Sequence, residues 1–377
     1  MAEAIRLMNF PIKLLHIFPT FGLGGQQRRL ADLIAGLGPA YEHHIISLSS
    51  DIEASELLPP KFGANIQIIK IQKSAYPDPS NIKQFRTLIK QCAPNVLCTY
   101  NWGSIEAAMA LKMMGGAKSV AHIHFEDGFG PDENPTKQNW RRVFVRQLVL
   151  KNSILVVPSV TLEALALGRW KLSPLRVQRI SNGIESKRFY IKNRVVDHTG
   201  PVTIGTVGAF RPEKNLVRLI SLFDAHSAER HARLVLVGDG PQRERLESKA
   251  RNSARVANIE FPGPTRNPER AYEDFDIFSL TSDTEQMPIS LMEAMMAGLP
   301  VVATNVGDIA AMVSDENRPF ICSPKDEALL LESMERMIDD ASLRERVGRA
   351  NQEKAIQHFD RKRMIDRYDA LFKGVLR

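Results

Sequence analysis

The sequence predicts an α/β protein built as two doubly wound domains, each a parallel sheet with helices on both faces. Helical and strand periods alternate almost throughout, which is the signature of layered α/β structure. The chain has 377 residues, too many for one ordinary core and enough for two. The alternation lapses once, where Asn182-Gly183 ends a strand and a polar stretch follows before a second βα series opens. This predicts an N-terminal domain over 1–182, a linker over 183–200, a C-terminal domain over 201–358 and a closing helical segment over 359–377.

Each element follows from local pattern. The apolar run 12–18 is a first strand, with Gly22, Gly24 and Gly25 in the loop behind it. Leu30, Leu33, Ile34 and Leu37 share one face of a helix over 27–37. Segments 44–48 and 66–71 are further strands, 81–91 a helix and 96–100 a strand. Strands over 119–124 and 153–158 bracket a helix over 138–150. In the second series a strand over 202–207 leads to a helix over 216–227 and a strand over 233–237. The turn Gly238-Asp239-Gly240-Pro241 follows, then strands over 259–261 and 277–280. Near the end, Ile365, Tyr368, Leu371 and Phe372 form one helical stripe.

Composition narrows the class. Apolar content of 44% and charged content of 25% are those of a soluble globular protein, and no apolar run reaches membrane-spanning length. The run 12–18 lacks the cleavage site of a secretion signal. Cys92, Cys98 and Cys322 lack metal-ligand spacing and read as reduced thiols, which predicts a cytoplasmic location. Residues 1–180 carry 21 Lys and Arg against 13 Asp and Glu, a net of +8, whereas residues 181–377 carry 29 against 30. The split predicts that one domain meets an anionic partner, although scattered solvated charges account for it equally well. No recognised nucleic-acid-binding module or aromatic-basic interleaving is present. Trp140, Phe144 and Leu148 share a helical stripe flanked by arginines. A core-facing helix with a basic solvated flank is the favoured reading, and a helix lying on a membrane surface is the other.

The densest chemistry lies at 285–304. Glu285 falls on a loop and Glu293, eight positions later, inside a helix. Pro288 suits the first helical turn and Gly298 ends the helix; a β-branched run from Val301 starts the next strand. Free N–H groups at the helix start suit a diphosphate. Glu285 would then stand at the mouth, near a sugar, and Glu293 deeper, near a ribose. A solvent-facing Glu pair on an ordinary amphipathic helix is the alternative. Upstream, the loop Gly208-Ala209-Phe210-Arg211-Pro212-Glu213-Lys214 carries two cations able to neutralise a leaving phosphate. Asp274-Phe275-Asp276 has metal-binding spacing, but it lies at a strand entry and reads as structural.

Together these motifs resemble the retaining glycosyltransferases of the two-domain GT-B fold, family 4. Glu285 and Glu293 match the family's E-x7-E element. Gly208 and Lys214 match its Gly-Arg-x-x-x-x-Lys loop, with Ala209 in the usual Arg place and Arg211 two residues late. Gly24-Gly25 matches a pair that faces the donor phosphates, though Gln26-Gln27 follows where the family often has Glu. His124 and Glu126 resemble the His-containing loop of the cleft, with His122 assigned to the opposite strand face as packing. Asn182-Gly183-Ile184-Glu185 with Phe189 resembles the interdomain hinge, and Phe261-Pro262-Gly263-Pro264 the loop beside the nucleotide base.

The resemblance implies two Rossmann-like domains facing across a cleft, with the last helix bracing the first domain. It implies His124, Arg211, Lys214 and Glu285 as catalytic residues, and Gly24, Gly25, Pro264, Met287, Ile289, Ser290 and Glu293 as the donor site. It implies neither metal nor separate cofactor, since the nucleotide diphosphate sugar is itself a substrate. The expected reaction is hexosyl transfer to an acceptor hydroxyl in glycan, polysaccharide or glycolipid synthesis. A lipid-linked acceptor at an anionic membrane would bring the protein to the inner membrane face. A non-hydrolysing sugar-nucleotide epimerase and a catalytically silent nucleotide-sugar-binding subunit remain the alternatives.

Overall fold

A computed structural model of the chain describes residues 11–60, 65–69, 77–115, 120–128, 133, 137–192, 194, 200–226 and 231–376. It divides into two compact units, Met1–Asn182 with Lys362–Arg377, and Gly183–Arg361. Among the described residues no helix is long and apolar enough to cross a membrane.

The first unit holds β1 (Ile12–Phe18), β2 (Tyr41–Ser47), β3 (Asn65–Ile68), β4 (Val96–Tyr100), β5 (Ala121–Phe125), β6 (Ile154–Val157) and β7 (Val177–Arg179). They form one parallel sheet in the order β3-β2-β1-β4-β5-β6-β7. The order reverses between β1 and β4, where Ile17 pairs with Thr99. In such sheets a crevice opens outside the carboxyl ends at the reversal. Alternation along β1 sends Leu14 and Phe18 to one face and Leu15 and Ile17 to the other. The first face is covered by helices Gly25–Leu37 and Arg361–Gly374, which bury Leu30, Ile34, Tyr368 and Phe372 there. The second is covered by helix Pro79–Cys92 through Phe85 and Ile89.

The second unit holds β8 (Val202–Val207), β9 (Ala232–Val237), β10 (Ile259–Gly263), β11 (Ile277–Leu280), β12 (Val301–Thr304) and β13 (Ile321–Cys322). Their parallel order is β10-β9-β8-β11-β12-β13, reversing between β8 and β11. Both sheets are buried on two faces, which is why their strands read as apolar runs.

Several expectations need adjustment. Strand 66–71 runs Asn65–Ile68, with 70 and 71 outside the described residues, as are 119 and 227. Helices Ile105–Met113 and Val160–Gly168 escaped the sequence reading because they are apolar on most sides. The favoured core-facing reading of the 140–148 stripe is wrong: Trp140, Phe144 and Leu148 are 71%, 58% and 53% exposed. Helix Trp140–Val149 instead buries Val149 and Arg146. That arginine is tolerated inside because Glu126 and Glu133 lie 3.2 and 3.6 Å from it, and Trp102 and Trp170 flank its guanidinium. His122 does not point away from His124 either. Two residues apart on β5, they share a face, and Thr99 Oγ1 lies 2.9 Å from His122 Nε2 and 2.7 Å from His124 Nδ1.

Candidate active site

In the second unit the loops after β8, β9 and β10 are packed backbone to backbone. The Gly208 amide donates to the Val237 carbonyl at 3.0 Å, and Phe210 to Asp239 at 2.7 Å. Gly238 makes this possible: its φ is +149°, and a Cβ there would sit 1.9 Å from the Gly208 oxygen. The loop is thereby fixed where it carries Arg211 and Lys214. Arg211 is exposed, and its side chain has no ionic partner among the described residues. Lys214 Nζ lies 2.5 Å from Glu285 Oε1, with the two side chains 23% and 10% exposed.

Glu285 is held from several sides. Ser282 Oγ donates to its Oε1 at 2.8 Å, and Thr304 Oγ1 donates to the Ser282 carbonyl at 2.6 Å. The Asp308 amide donates to the Gln286 carbonyl at 3.0 Å. Gly307, at φ +57°, is placed so that a Cβ would meet the Glu285 carbonyl oxygen at 2.3 Å. The turn after β12 is thus moulded against the Glu285 backbone, and only glycine fits both its conformation and its space. The Asp283 amide donates to the Glu213 carbonyl at 2.8 Å, tying the Glu285 segment to the Lys214 loop.

Helix Ile289–Met296 begins beside this pair. Pro288 is its N-cap, one place before the expected first turn, and supplies no side-chain cap, so the first amides are left to other partners. Gly298, φ +78°, ends the helix, with its amide on the Met295 carbonyl. Ile289 and Ser290 are partly exposed at the helix start, while Met287 is packed into the core. Glu293 is partly buried, and Tyr272 Oη donates to its Oε2 at 2.7 Å. Burial, reinforced by the Glu293 charge, raises the Tyr272 phenol well above its ordinary pKa, so it stays a donor. Pro264 is exposed, next to Gly263 at φ +90°. Asp276 accepts the Thr203 amide at 2.8 Å and Phe275 is buried, so Asp274-Phe275-Asp276 is engaged in strand entry.

Gly24 and Gly25 belong to the first unit, at the start of helix Gly25–Leu37. The Gln26 amide donates to Asp127 Oδ2 at 2.6 Å and that of Gln27 to the Thr20 carbonyl at 2.8 Å. A glutamate in either place could not donate, which accounts for the departure from the family pattern. Asp127 also pairs with buried Arg29, whose Nη1 donates to Asn182 at 2.9 Å. Burial opposes the Arg29 charge, but Asp127 outweighs it and holds the guanidinium ionised. Asn101 completes this group at the carboxyl ends of β4 and β5, accepting the Asp127 amide at 2.9 Å. Its φ of +53° and ψ of −178° are rarely adopted without glycine, a strain on the order of 1–3 kcal/mol of the kind stored at functional sites. Sequence reasoning missed Asp127, Arg29 and Asn101, and the signal available for them was their position at strand ends.

His124, expected to contact a sugar, has no exposed surface. Its Nδ1 is engaged by Thr99 and its Nε2 lies 3.5 Å from Glu126 Oε2. Burial pushes the Glu126 carboxyl up, but Arg146 and His124 outweigh it, so its pKa falls below the ordinary value. His124 therefore serves a buried ionic network, and a direct contact with substrate does not fit its position.

The comparisons agree with this architecture. The chain matches the family model described as Glycosyltransferase Family 4 over residues 23–188, and that of Glycosyl transferases group 1 over residues 188–354. The structure of Anabaena Alr3699/HepE in complex with UDP superposes with a TM-score of 0.80 at 14% identity, covering 96% of this chain and 100% of that one. Among curated proteins, N-acetyl-alpha-D-glucosaminyl L-malate synthase of Bacillus anthracis is 25% identical over 171 residues, 45% of either chain. Putative glycosyltransferase EpsF of Bacillus subtilis is 28% identical over 212 residues, 52% of this chain and 54% of the relative. The alignments thus span about half the length of these curated relatives. Fold and sequence together define the class, a GT-B protein of two Rossmann-like units. The chain belongs to the glycosyltransferases that these two family models describe.

Proposed function

We propose that the protein transfers a hexosyl unit from a nucleotide diphosphate sugar to an acceptor hydroxyl with retention of anomeric configuration. The observation that carries this reading is the Lys214–Glu285 pair beside the uncapped start of helix Ile289–Met296, with Glu293 held by Tyr272 inside it. That HepE is solved with UDP and with UDP-glucose supports a donor of this class. In the reading, Lys214 leaves Glu285 for the diphosphate, joined by Arg211 and the Ile289 and Ser290 amides. Glu285, released, accepts from sugar hydroxyls, and Glu293 from the ribose; Met287 and Pro264 border the nucleotide. Gly24 and Gly25 are assigned to the donor phosphates on resemblance alone.

The acceptor oxygen bonds to the anomeric carbon as the bond from that carbon to the phosphate oxygen breaks. The electron pair leaves on the phosphate, which also takes the acceptor proton. The protein contributes orientation and cationic stabilisation of the leaving group. The acceptor is assigned to the strongly basic first unit, with Asp127 and Asn101 as contacts and a lipid-linked molecule as its class. The protein would then act in glycan or glycolipid synthesis on the cytoplasmic side of a membrane.

A thermal-shift screen of nucleotides and nucleotide sugars identifies the donor, and release of free nucleoside diphosphate is then followed with acceptor present. Acceptor-dependent release, with the product anomer matching the donor, is expected. Interconversion of the nucleotide sugar without transfer would make the protein an epimerase. Binding without either reaction would make it a silent subunit.

A further inference from the structure

The first unit contains a cavity of about 990 Å3. It lies where β5 and β6 begin and runs along the short strand β7, lined by Ala121, Ile154, Arg176 and Ile180, with helices Ile105–Met113 and Arg361–Gly374 on its flanks. Asn101 and Asp127, at the carboxyl ends of β4 and β5, do not line it, so the cavity is no part of the candidate active site. Its volume suits a ligand of lipid-headgroup size or larger.

Its lining has an unusual balance. Lys112, Arg176 and Arg367 contribute three cations, and no Asp or Glu lines it. Lys112 donates to the Leu148 carbonyl and Arg367 to the Arg179 carbonyl at 2.6 Å. None of the three is paired with a carboxylate among the described residues. The charge is therefore uncompensated, and a multivalent anion would complement it. The remaining wall includes Ala108, Leu111, Leu371 and Val375, which an inorganic anion would leave unused.

The surroundings point to an apolar phase. Met113 and Leu175, each next in sequence to a lining cation, are 61% and 88% exposed. Leu148, whose carbonyl Lys112 holds, ends the exposed Trp140–Phe144–Leu148 stripe. Exposed apolar groups concentrated about a cationic pocket mark an interaction surface rather than ordinary scatter. An aromatic stripe flanked by Arg141 and Lys151 has the composition of a helix lying in a membrane interface.

We propose that this pocket holds the phosphate headgroup of an anionic phospholipid while the Trp140–Phe144–Leu148 stripe rests in the membrane interface. The inference does not rest on the transfer reading, because it is measured without donor or acceptor.

Co-sedimentation with vesicles of phosphatidylcholine, with and without phosphatidylglycerol, is the first test. Binding is expected to the mixed vesicles only, with a blue shift of tryptophan emission that Trp140→Phe removes. Short-chain phosphatidylglycerol, soluble below its micelle concentration, should bind the pocket without a bilayer. The double variant Arg176→Gln/Arg367→Gln should weaken both kinds of binding by about fivefold per charge removed. A control with equal charge loss on helix Pro79–Cys92, Lys83→Gln/Lys90→Gln, should stay close to the parent. Phe144→Ser should weaken vesicle binding and leave the short-chain lipid unaffected. Circular dichroism melts of each variant confirm folding. Failure to bind mixed vesicles, or equal losses in the pocket and control variants, overturns the proposal. So does inorganic phosphate binding as tightly as the short-chain lipid, which would leave a plain anion site.

Discussion

Lys214 Nζ and Glu285 Oε1 meet at 2.5 Å although 71 positions separate them in the chain. The contact joins the loop after β8 to the loop after β11, on either side of the reversal in strand order. An incoming diphosphate competes with Glu285 for the lysine, so the cation's role is measured only by removing it. Lys214→Ala should cost on the order of 2–4 kcal/mol in kcat/KM, as for a lost charge-assisted contact to a developing anion. Unchanged kcat/KM would remove Lys214 from the mechanism. If Lys214→Ala is damaging and Arg211→Ala neutral, Arg211 does not stand in for an arginine at position 209.

The two glutamates should separate by ligand. Glu293→Ala should weaken binding of free nucleoside diphosphate, whereas Glu285→Ala should spare it and impair nucleotide-sugar turnover. Tyr272→Phe should reproduce a weakened Glu293→Ala phenotype, by about 1 kcal/mol in nucleoside diphosphate affinity, because the carboxylate loses one fixed donor. Calorimetry on the three variants decides this, and equal losses for both glutamate variants would show that they are not so divided.

Gly307→Ala tests whether the turn after β12 sets Glu285. A left-handed conformation costs a non-glycine residue roughly 1–2 kcal/mol, and the added Cβ would also displace the Glu285 carbonyl it meets at 2.3 Å. The melting temperature should fall and turnover should fall with it, while nucleoside diphosphate binding through Glu293 persists. Full turnover in a destabilised variant would detach Gly307 from the position of Glu285.

Two buried histidines, His16 and His43, and the half-buried His122 give the first unit an acid-labile stability. Burial lowers His122 to about 3 and His43 to about 4, with His124 and His44 adding like-charge repulsion. Burial, then the charges of His43 and His44, holds His16 well below its ordinary value. All three are neutral when folded but take up protons below about 6.5 when unfolded. Their contribution is therefore present above that pH and is lost as pH falls towards the folded values. Each should add a slope of about 1.4 kcal/mol per pH unit in that window. Urea midpoints followed from neutrality into this range should show the loss, and His122→Asn should flatten it. An unaltered slope in that variant would contradict the burial argument.

The scaffold was readable in the sequence because parallel strands buried on two faces, such as β4 and β8, are short apolar runs with few rivals. Glu285, Glu293 and Lys214 were readable because turn-forming glycines and a proline punctuate the loops around them. Gly307 was not, because its meaning depends on a backbone atom of residue 285 that only the fold brings near. Arg146 misled for the same reason: its partners Glu126 and Glu133 lie outside any helical period, so a buried arginine looked like a solvated one. His124 and Asp127 show the limit of motif transfer. They stand three residues apart, yet the first is sealed in an ionic network and the second reaches the sheet edge with Gln26 and Asn101.

The helix Arg361–Gly374 packs on a sheet whose other residues were all specified before position 183. Tyr41 donates to Asp369 across 328 positions. On the ribosome, the entire contiguous second unit emerges before the first can close its core over Leu14, Phe18 and Tyr100. Domains generally fold as units during synthesis, and distant contacts are slow to form. The order of maturation should therefore invert the order of translation, with the second unit native first and the N-terminal sheet waiting on residues 362–377. Ribosome-stalled chains with residues up to 361 outside the ribosome and 362–377 still held within it would carry a protease-resistant second unit and a protease-sensitive first one.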